Sequence, residues 1–132
     1  MTLFVDTSVW SLALRRDAPP DTPQTAALAK ALGAGETIVT TGLVLQELLQ
    51  GFEGARNHRE LLDRFADLPF LEPERQDYVE AADLKSRCRR VGVQVGTIDA
   101  LFAQLCLRHD LAMLTADKDF AAIAKHSRLR LA

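Results

Sequence analysis

Two short apolar runs of this chain stop on small hydroxyls and carboxylates. Leu3-Phe4-Val5 ends at Asp6, and Leu111-Ala112-Met113-Leu114 ends at Thr115-Ala116-Asp117. Thr37-Ile38-Val39-Thr40 is β-branched throughout and reads as another short strand. Helical stretches separate these runs. Short buried strands alternating with helices predict a parallel sheet with helices on both faces, joined by right-handed crossovers. In such sheets a ligand lies beyond the carboxyl ends of the strands, near the point where strand order reverses. Asp6 and Asp117 each follow the end of an apolar strand, so they face one another if those strands are neighbours.

The punctuation along the chain supports this order. Asp6-Thr7-Ser8 is a cap cluster, and a helix continues through Val9 to Leu14. Arg15 to Pro23 reads as a loop, because Pro19, Pro20 and Pro23 break a helix. Gln24 to Leu32 is helical and is stopped by Gly33 and Gly35. Thr41 to Phe52 and Asn57 to Leu68 are the next helices. Phe70-Leu71 reads as a minimal strand cut off by Pro73. Glu74 to Val91 is a long amphipathic helix, followed by a loop between Gly92 and Gly96 and a helix over Thr97 to His109. Lys118 to Lys125 is a last helix, and Leu129-Arg130-Leu131 a weak edge strand. With 132 residues the chain fits a single domain, 1–132, around one core.

Four acids sit against apolar sequence. Asp6 and Asp117 end strands, Asp99 lies within Thr97-Ile98-Asp99-Ala100-Leu101-Phe102, and Glu47 lies within Leu43-Val44-Leu45-Gln46-Glu47-Leu48-Leu49. A carboxylate held in apolar surroundings costs several kcal/mol unless it is compensated. A divalent cation is the common compensation for several at once. Each aspartate also has a local explanation. Asp6 can cap the helix after it, Asp99 stands in a first turn where the dipole favours negative charge, and Asp117 or Asp119 can cap the Phe120 helix. Glu47 lies in a second turn, beyond the reach of the end charges, and is the acid least explained locally. Asp63, Asp67, Glu72, Glu74, Asp77, Glu80 and Asp83 lie among polar neighbours and read as a solvated surface. Thr7, Ser8 and Thr115 flank the candidate acids and can orient a carboxylate or a bound water.

Composition excludes several functions. Cys88 and Cys106 form no CxxC pair, and His58, His109 and His126 are scattered, which argues against zinc. Cys88 falls on the stripe Tyr78, Ala81, Leu84, Val91 and reads as a core thiol. The longest apolar run is far below the ~20 residues that cross a bilayer. Met1 to Asp6 lacks a basic segment, so no secretory signal and a cytoplasmic location are expected. The formal net charge of −2 gives no bulk attraction for nucleic acid. Positive charge is local. Lys85 and Arg89 form one row at the end of the long helix, and Arg87 and Arg90 a neighbouring one, with Arg15 and Arg16 a weaker candidate at the proline loop. These cations also complement a helix dipole.

Phe4-Val5-Asp6-Thr7-Ser8-Val9-Trp10, Leu45-Gln46-Glu47-Leu48-Leu49-Gln50-Gly51, Gly96-Thr97-Ile98-Asp99-Ala100-Leu101-Phe102-Ala103 and Leu114-Thr115-Ala116-Asp117-Lys118-Asp119-Phe120 occur in this order. Together they resemble the PIN domain, and within it the toxin ribonucleases called VapC of bacterial and archaeal toxin–antitoxin pairs. The resemblance runs from about Leu3 to Leu131. It implies an α/β three-layer sandwich with a central five-stranded parallel sheet of order 3-2-1-4-5. It implies that Asp6, Glu47, Asp99 and Asp117 form one pocket binding Mg²⁺ or Mn²⁺, with Asp119 at the family's variable fifth position. It also implies an RNA substrate, a VapB-type antitoxin whose tail crosses the acidic pocket, a homodimer and a higher assembly with antitoxin. Trp10 and Phe52 are candidates for receiving that tail, although core packing is the expected role of both.

Oxygen ligands suit Mg²⁺ or Mn²⁺. A metal so held activates water against a phosphodiester, which leaves a 5′-phosphate and a 3′-hydroxyl. The route through the 2′-hydroxyl needs acid–base groups such as a histidine pair, and the three histidines lie on unrelated segments. The competing expectation is a non-catalytic PIN-like module that uses the same pocket to hold RNA or protein. A phosphotransfer protein is disfavoured, because no Asp-x-Asp follows the first strand.

Overall fold

The computed structural model describes residues 2–15 and 21–132. Four parallel strands form one sheet: β1 (Leu3–Val5), β2 (Ile38–Val39), β3 (Ala112–Leu114) and β4 (Arg130–Leu131), in the order β2-β1-β3-β4. Leu3 and Phe4 stand opposite Ile38 and Val39 on one side, while Leu3, Phe4 and Val5 stand opposite Ala112, Met113 and Leu114 on the other. Successive side chains of a strand point to opposite faces. All three residues of β1 and all three of β3 are buried, so both faces of the sheet are covered. Helices therefore pack on each side, as the unbroken apolar runs required. β4 is exposed, the weak edge strand expected at Leu129-Arg130-Leu131.

The expected fifth strand is not formed. Phe70 makes a single parallel bridge to Thr40, with hydrogen bonds from Thr40 N to Pro69 O at 3.0 Å and from Leu71 N to Thr40 O at 2.8 Å. The neighbour order matches the expected one, but Pro69 and Pro73 lack the N–H groups needed to extend the ladder. Among the described residues the sheet therefore has four strands and a one-residue outpost.

Among the described residues, seven helices connect these strands: α1 (Thr7–Ala13), α2 (Pro23–Gly33), α3 (Gly42–Gly51), α4 (Ala55–Phe65), α5 (Arg75–Arg90), α6 (Thr97–Arg108) and α7 (Asp119–Lys125). Pro23 opens α2 instead of ending the loop before it. Thr22 and Thr25 form a reciprocal capping box, and a proline at the first helical position gives up only an orphan N–H. Of the proline loop, Arg16, Asp17, Ala18, Pro19 and Pro20 lie outside the described residues. Gly92 takes φ +82°, which lets the chain turn out of α5 without a Cβ penalty.

Phe4 packs on Phe102 with ring centroids 5.3 Å apart, joining β1 to α6, and Trp10 packs on Phe65 at 5.0 Å, joining α1 to α4. Trp10 is buried and Phe52 half-buried against the core, so packing occupies both. Cys88 lies in the core, as its stripe predicted.

Asp77 departs from the sequence expectation. It is fully buried, not a solvated surface residue. Arg108 grips it with Nε 2.7 Å from Oδ1 and Nη2 2.8 Å from Oδ2. Gln104 Nε2 donates to Oδ1 at 3.3 Å, and the Glu74 backbone N–H to Oδ2 at 2.8 Å. Burial by itself would raise the Asp77 carboxyl, but these hydrogen bonds and the Arg108 charge outweigh it and hold the carboxyl below its ordinary range. The fork locks the start of α5 to the end of α6. Its sequence trace is Gln104 and Arg108, one turn apart in the C-terminal half of α6, which is otherwise apolar from Ala100 onward.

Candidate metal centre

Parallel pairing of β1 with β3 brings their carboxyl ends side by side, and the Asp6 N–H donates to Leu114 O at 2.9 Å. Asp6 occupies the N-cap position of α1, yet its side chain makes no capping hydrogen bond. Its Oδ2 instead accepts from Ser8 Oγ at 2.7 Å and from Thr115 Oγ1 at 2.9 Å. Only 5% of Asp6 is exposed. The cap explanation thus fails for Asp6, whose carboxylate is turned across the sheet end toward the residues after β3. Ser8 Oγ accepts from the Ala116 N–H at 3.0 Å, and Thr115 Oγ1 from the Asp117 N–H at 3.0 Å. Ser8 and Thr115 therefore couple Asp6 to the turn that carries Asp117.

Glu47 lies in the second turn of α3 beside the buried Val44 and Leu48. Thr7 Oγ1, next in sequence to Asp6, donates to Glu47 Oε1 at 2.7 Å. Glu47 is thereby held to the start of α1. Asp99 stands in the first turn of α6, half-buried beside Gly96. Asp117 partly keeps a local role, because its Oδ1 accepts from the Asp119 N–H at 2.9 Å at the start of α7.

Asp99, Asp117 and Asp119 each bring an oxygen within 4.8 Å of the others. Asp119, the position of doubtful role, belongs to this tight group, while Asp6 and Glu47 flank it. The electrostatics link all five. The Asp99 carboxyl is pushed from 3.8 up to about 6, first by burial and then by the charges of Asp6, Asp117, Asp119 and Glu47. Hydroxyls satisfy one oxygen each of Asp6 and Glu47, and the other oxygen has no hydrogen bond among the described residues. The donors are carboxylates and hydroxyls, hard ligands that fit Mg²⁺ or Mn²⁺.

The cationic candidates divide. Arg87 pairs with Asp83 at 2.9 Å. Lys85 lines an apolar groove between α5 and α6, and Arg89 and Arg90 are exposed. Arg15 lines a cleft with Phe52, Asn57 and Arg64, and Arg16 lies outside the described residues. The three histidines do not pair at the acids. His58 Nε2 meets Leu49 O at 2.8 Å, and His109 and His126 stand at the C-termini of α6 and α7. No helix among the described residues is long and apolar enough to cross a membrane.

The PIN domain family matches residues 3–126. The chain belongs to the PIN-domain family. Similar solved structures include VapBC2 from Rickettsia felis bound to a DNA fragment from their promoter. Its TM-score is 0.77 at 17% identity, covering 100% of this chain and 98% of that one. FitAcB from Neisseria gonorrhoeae matches with TM-score 0.68 at 21% identity, over 98% of this chain and 95% of that one. Mycobacterium tuberculosis VapC20, a sarcin–ricin loop cleaving toxin, matches with TM-score 0.67 at 23% identity, over 97% and 98%. At these identities the likeness concerns the PIN fold.

Proposed function

We propose that this chain is a Mg²⁺- or Mn²⁺-dependent endoribonuclease, the toxin of a VapBC-type pair. It would hydrolyse RNA phosphodiesters to leave a 5′-phosphate and a 3′-hydroxyl. The observation that carries this reading is the convergence of Asp99, Asp117 and Asp119, whose oxygens lie within 4.8 Å of one another, with the charges of Asp6 and Glu47 also acting on Asp99. A cation among the acids would relieve this repulsion at neutral pH. Membership of the PIN family and the toxin chains of similar fold support the same activity and a VapB-type antitoxin partner.

Asp99, Asp117 and Asp119 would hold the metal, with Asp6 and Glu47 completing the set. When bound, it supplies an activated water and neutralises charge on the phosphate oxygens. The residues of the chain prepare that place. Ser8 and Thr115 hold the Asp6 carboxylate, and Thr7 holds Glu47, which would orient both acids for a bound ion. Arg87 and Arg90, on the row of α5 turned away from the groove, are proposed to meet substrate phosphates.

A single-stranded RNA carrying one 2′-deoxy nucleotide at the cleavage site tests the route. Cutting should persist and yield a 5′-phosphate. Abolished cutting, or a cyclic phosphate product, would sink it. Asp6→Asn and Asp99→Asn should lose cleavage while RNA binding persists. If the unmodified chain shows no metal-dependent cleavage, it is a binding module.

A further inference from the structure

The turn after β3 and the helix behind it carry cations that the acidic pocket does not use. Lys118 stands between Asp117 and Asp119, two members of the tight acidic group. It is exposed, and among the described residues it makes no ion pair with either. Arg56, Arg87, Arg108 and Arg130, in contrast, each reach a carboxylate. The backbone under Lys118 is fixed. The Asp119 N–H donates to Asp117 Oδ1 at 2.9 Å, and the Ala121 N–H to Lys118 O at 3.1 Å. Helix electrostatics does not account for a cation there, because the dipole disfavours positive charge at the start of a helix.

Lys118 already has helical backbone angles, φ −64° and ψ −22°. At about 100° per residue, Lys125 returns to within about 20° of Lys118 around α7, and Ala121 and Ala122 fall on either side of the line between them. Phe120 and Ile123, the buried residues of α7, point the opposite way. The outward face is therefore lysine, two alanines, lysine, with Lys118, Ala121 and Lys125 exposed. A rise of about 1.5 Å per residue sets the lysines about 10 Å apart along the axis, a spacing for two phosphates of one strand and not for a single small anion. The alanines leave nothing to obstruct a backbone passing between them. Asp119, the only acid of α7, lies about 100° round the helix from Lys118.

The row continues past the helix. Ser127 Oγ donates to Ile123 O at 2.8 Å and accepts from the Leu129 N–H at 3.2 Å, which holds the turn that presents the exposed Arg128. A chain of formal net charge −2 attracts a polyanion only through such local rows. Contacts of this kind position a strand without reading its sequence.

We propose that the outward face of α7, Lys118 and Lys125 with Arg128 beyond, is a track for the phosphate backbone of single-stranded RNA leading away from the acidic pocket. Lys118 takes a phosphate at the rim of the pocket, and Lys125 one farther along the strand. The proposal rests on the nuclease reading in taking RNA as the occupant, and its test separates the two.

The test is binding of a single-stranded RNA oligonucleotide across a salt series at constant Mg²⁺, in an Asp99→Asn background that keeps the strand intact. Lys118→Gln, Lys125→Gln and Arg128→Gln should each lower the log–log salt slope by roughly 0.7, and Lys118→Gln with Lys125→Gln by about twice that. Lys118→Arg and Lys125→Arg should keep the slope. Arg130→Gln, whose guanidinium is tied to Asp110 at 2.9 Å, should leave it where it is. Mn²⁺ affinity, measured by isothermal titration, should not fall in Lys118→Gln alone, since removing a neighbouring cation does not repel the ion. An unmoved slope in either lysine variant, or an equal fall in Arg130→Gln, overturns the track. So does a Lys118→Gln variant that loses Mn²⁺ affinity and keeps its slope, which would give Lys118 to the metal centre. If the unmodified chain with Mn²⁺ cuts no RNA while the slopes still fall, the nuclease reading fails and the track stands. If it cuts RNA and the slopes do not move, the track alone fails.

Discussion

Thr7 Oγ1 donates to Glu47 Oε1 at 2.7 Å, across 40 positions of sequence. A helix start after β1 thereby fixes a carboxylate from the middle of α3. Thr7→Val keeps the side-chain shape and removes the donor. It should weaken Mn²⁺ binding by on the order of 10-fold or more, the usual effect of losing a group that orients a metal ligand. Isothermal titration against Mn²⁺, with a melting curve as control, checks this. Unchanged affinity would place Glu47 outside the metal set.

The raised Asp99 carboxyl sets a pH dependence. An acid whose folded pKa lies above its ordinary 3.8 stabilises the metal-free fold fully below that value, and the contribution is lost as pH rises through about 6. Asp99→Asn mimics the protonated form. The Tm of the metal-free variant should therefore gain on that of the unmodified protein as pH rises from 4 to 7. Added Mg²⁺ should raise the Tm of the unmodified protein at pH 7.5 and much less at pH 5, where protons compete for the site. A constant Tm difference between the two proteins across that range would contradict the assignment.

The buried Asp77 has the opposite sign. Its carboxyl is held below the ordinary range, so its contribution is present above 3.8 and is lost as pH falls through the lower folded value. Arg108→Met leaves a fully buried carboxylate without its charge partner. Asp77→Asn leaves a guanidinium that is partly exposed and can hydrate. At pH 7 urea denaturation should show Arg108→Met as the less stable variant, and the gap should narrow in acid.

Phosphate contacts report themselves through salt. If Arg87 and Arg90 each neutralise one phosphate, Arg87→Gln and Arg90→Gln should each reduce the log–log salt slope of single-stranded RNA binding by roughly 0.7. Arg87 must first leave Asp83, 2.9 Å away, so Arg90→Gln should show the larger loss of affinity. Filter binding across a salt series measures both.

Cys88 and Cys106 are buried free thiols. Burial, and after it the charge of Asp6, pushes the Cys106 thiol well above its ordinary range. Neither should react with a thiol-specific disulfide reagent until the protein is denatured, when two thiols per chain should titrate at once. Fast reaction in the native state would show the α6 core to be open.

The sequence alone determined the elements and the acids. Leu3-Phe4-Val5 and Leu111 to Leu114 are apolar on every residue, as strands covered on both faces of a parallel sheet are, and prolines and glycines marked the helix ends. Of the candidate acids Asp6, Glu47, Asp99 and Asp117, only Glu47 stood out by position, because each aspartate also had a cap or first-turn explanation. Tertiary structure alone decided which local explanation each acid obeys. Asp6 turns from its cap position to Ser8 and Thr115, Asp117 keeps a cap-like bond, and Asp119 joins the tight group. It also reduced Phe70 to a bridge and buried Asp77 under Arg108. The reason is one of range. Strand and helix signals are local, set by residues a few positions apart, whereas a charge's cost depends on partners brought close only when the chain folds. Thr7 reaches Glu47 across 40 positions and Arg108 reaches Asp77 across 31.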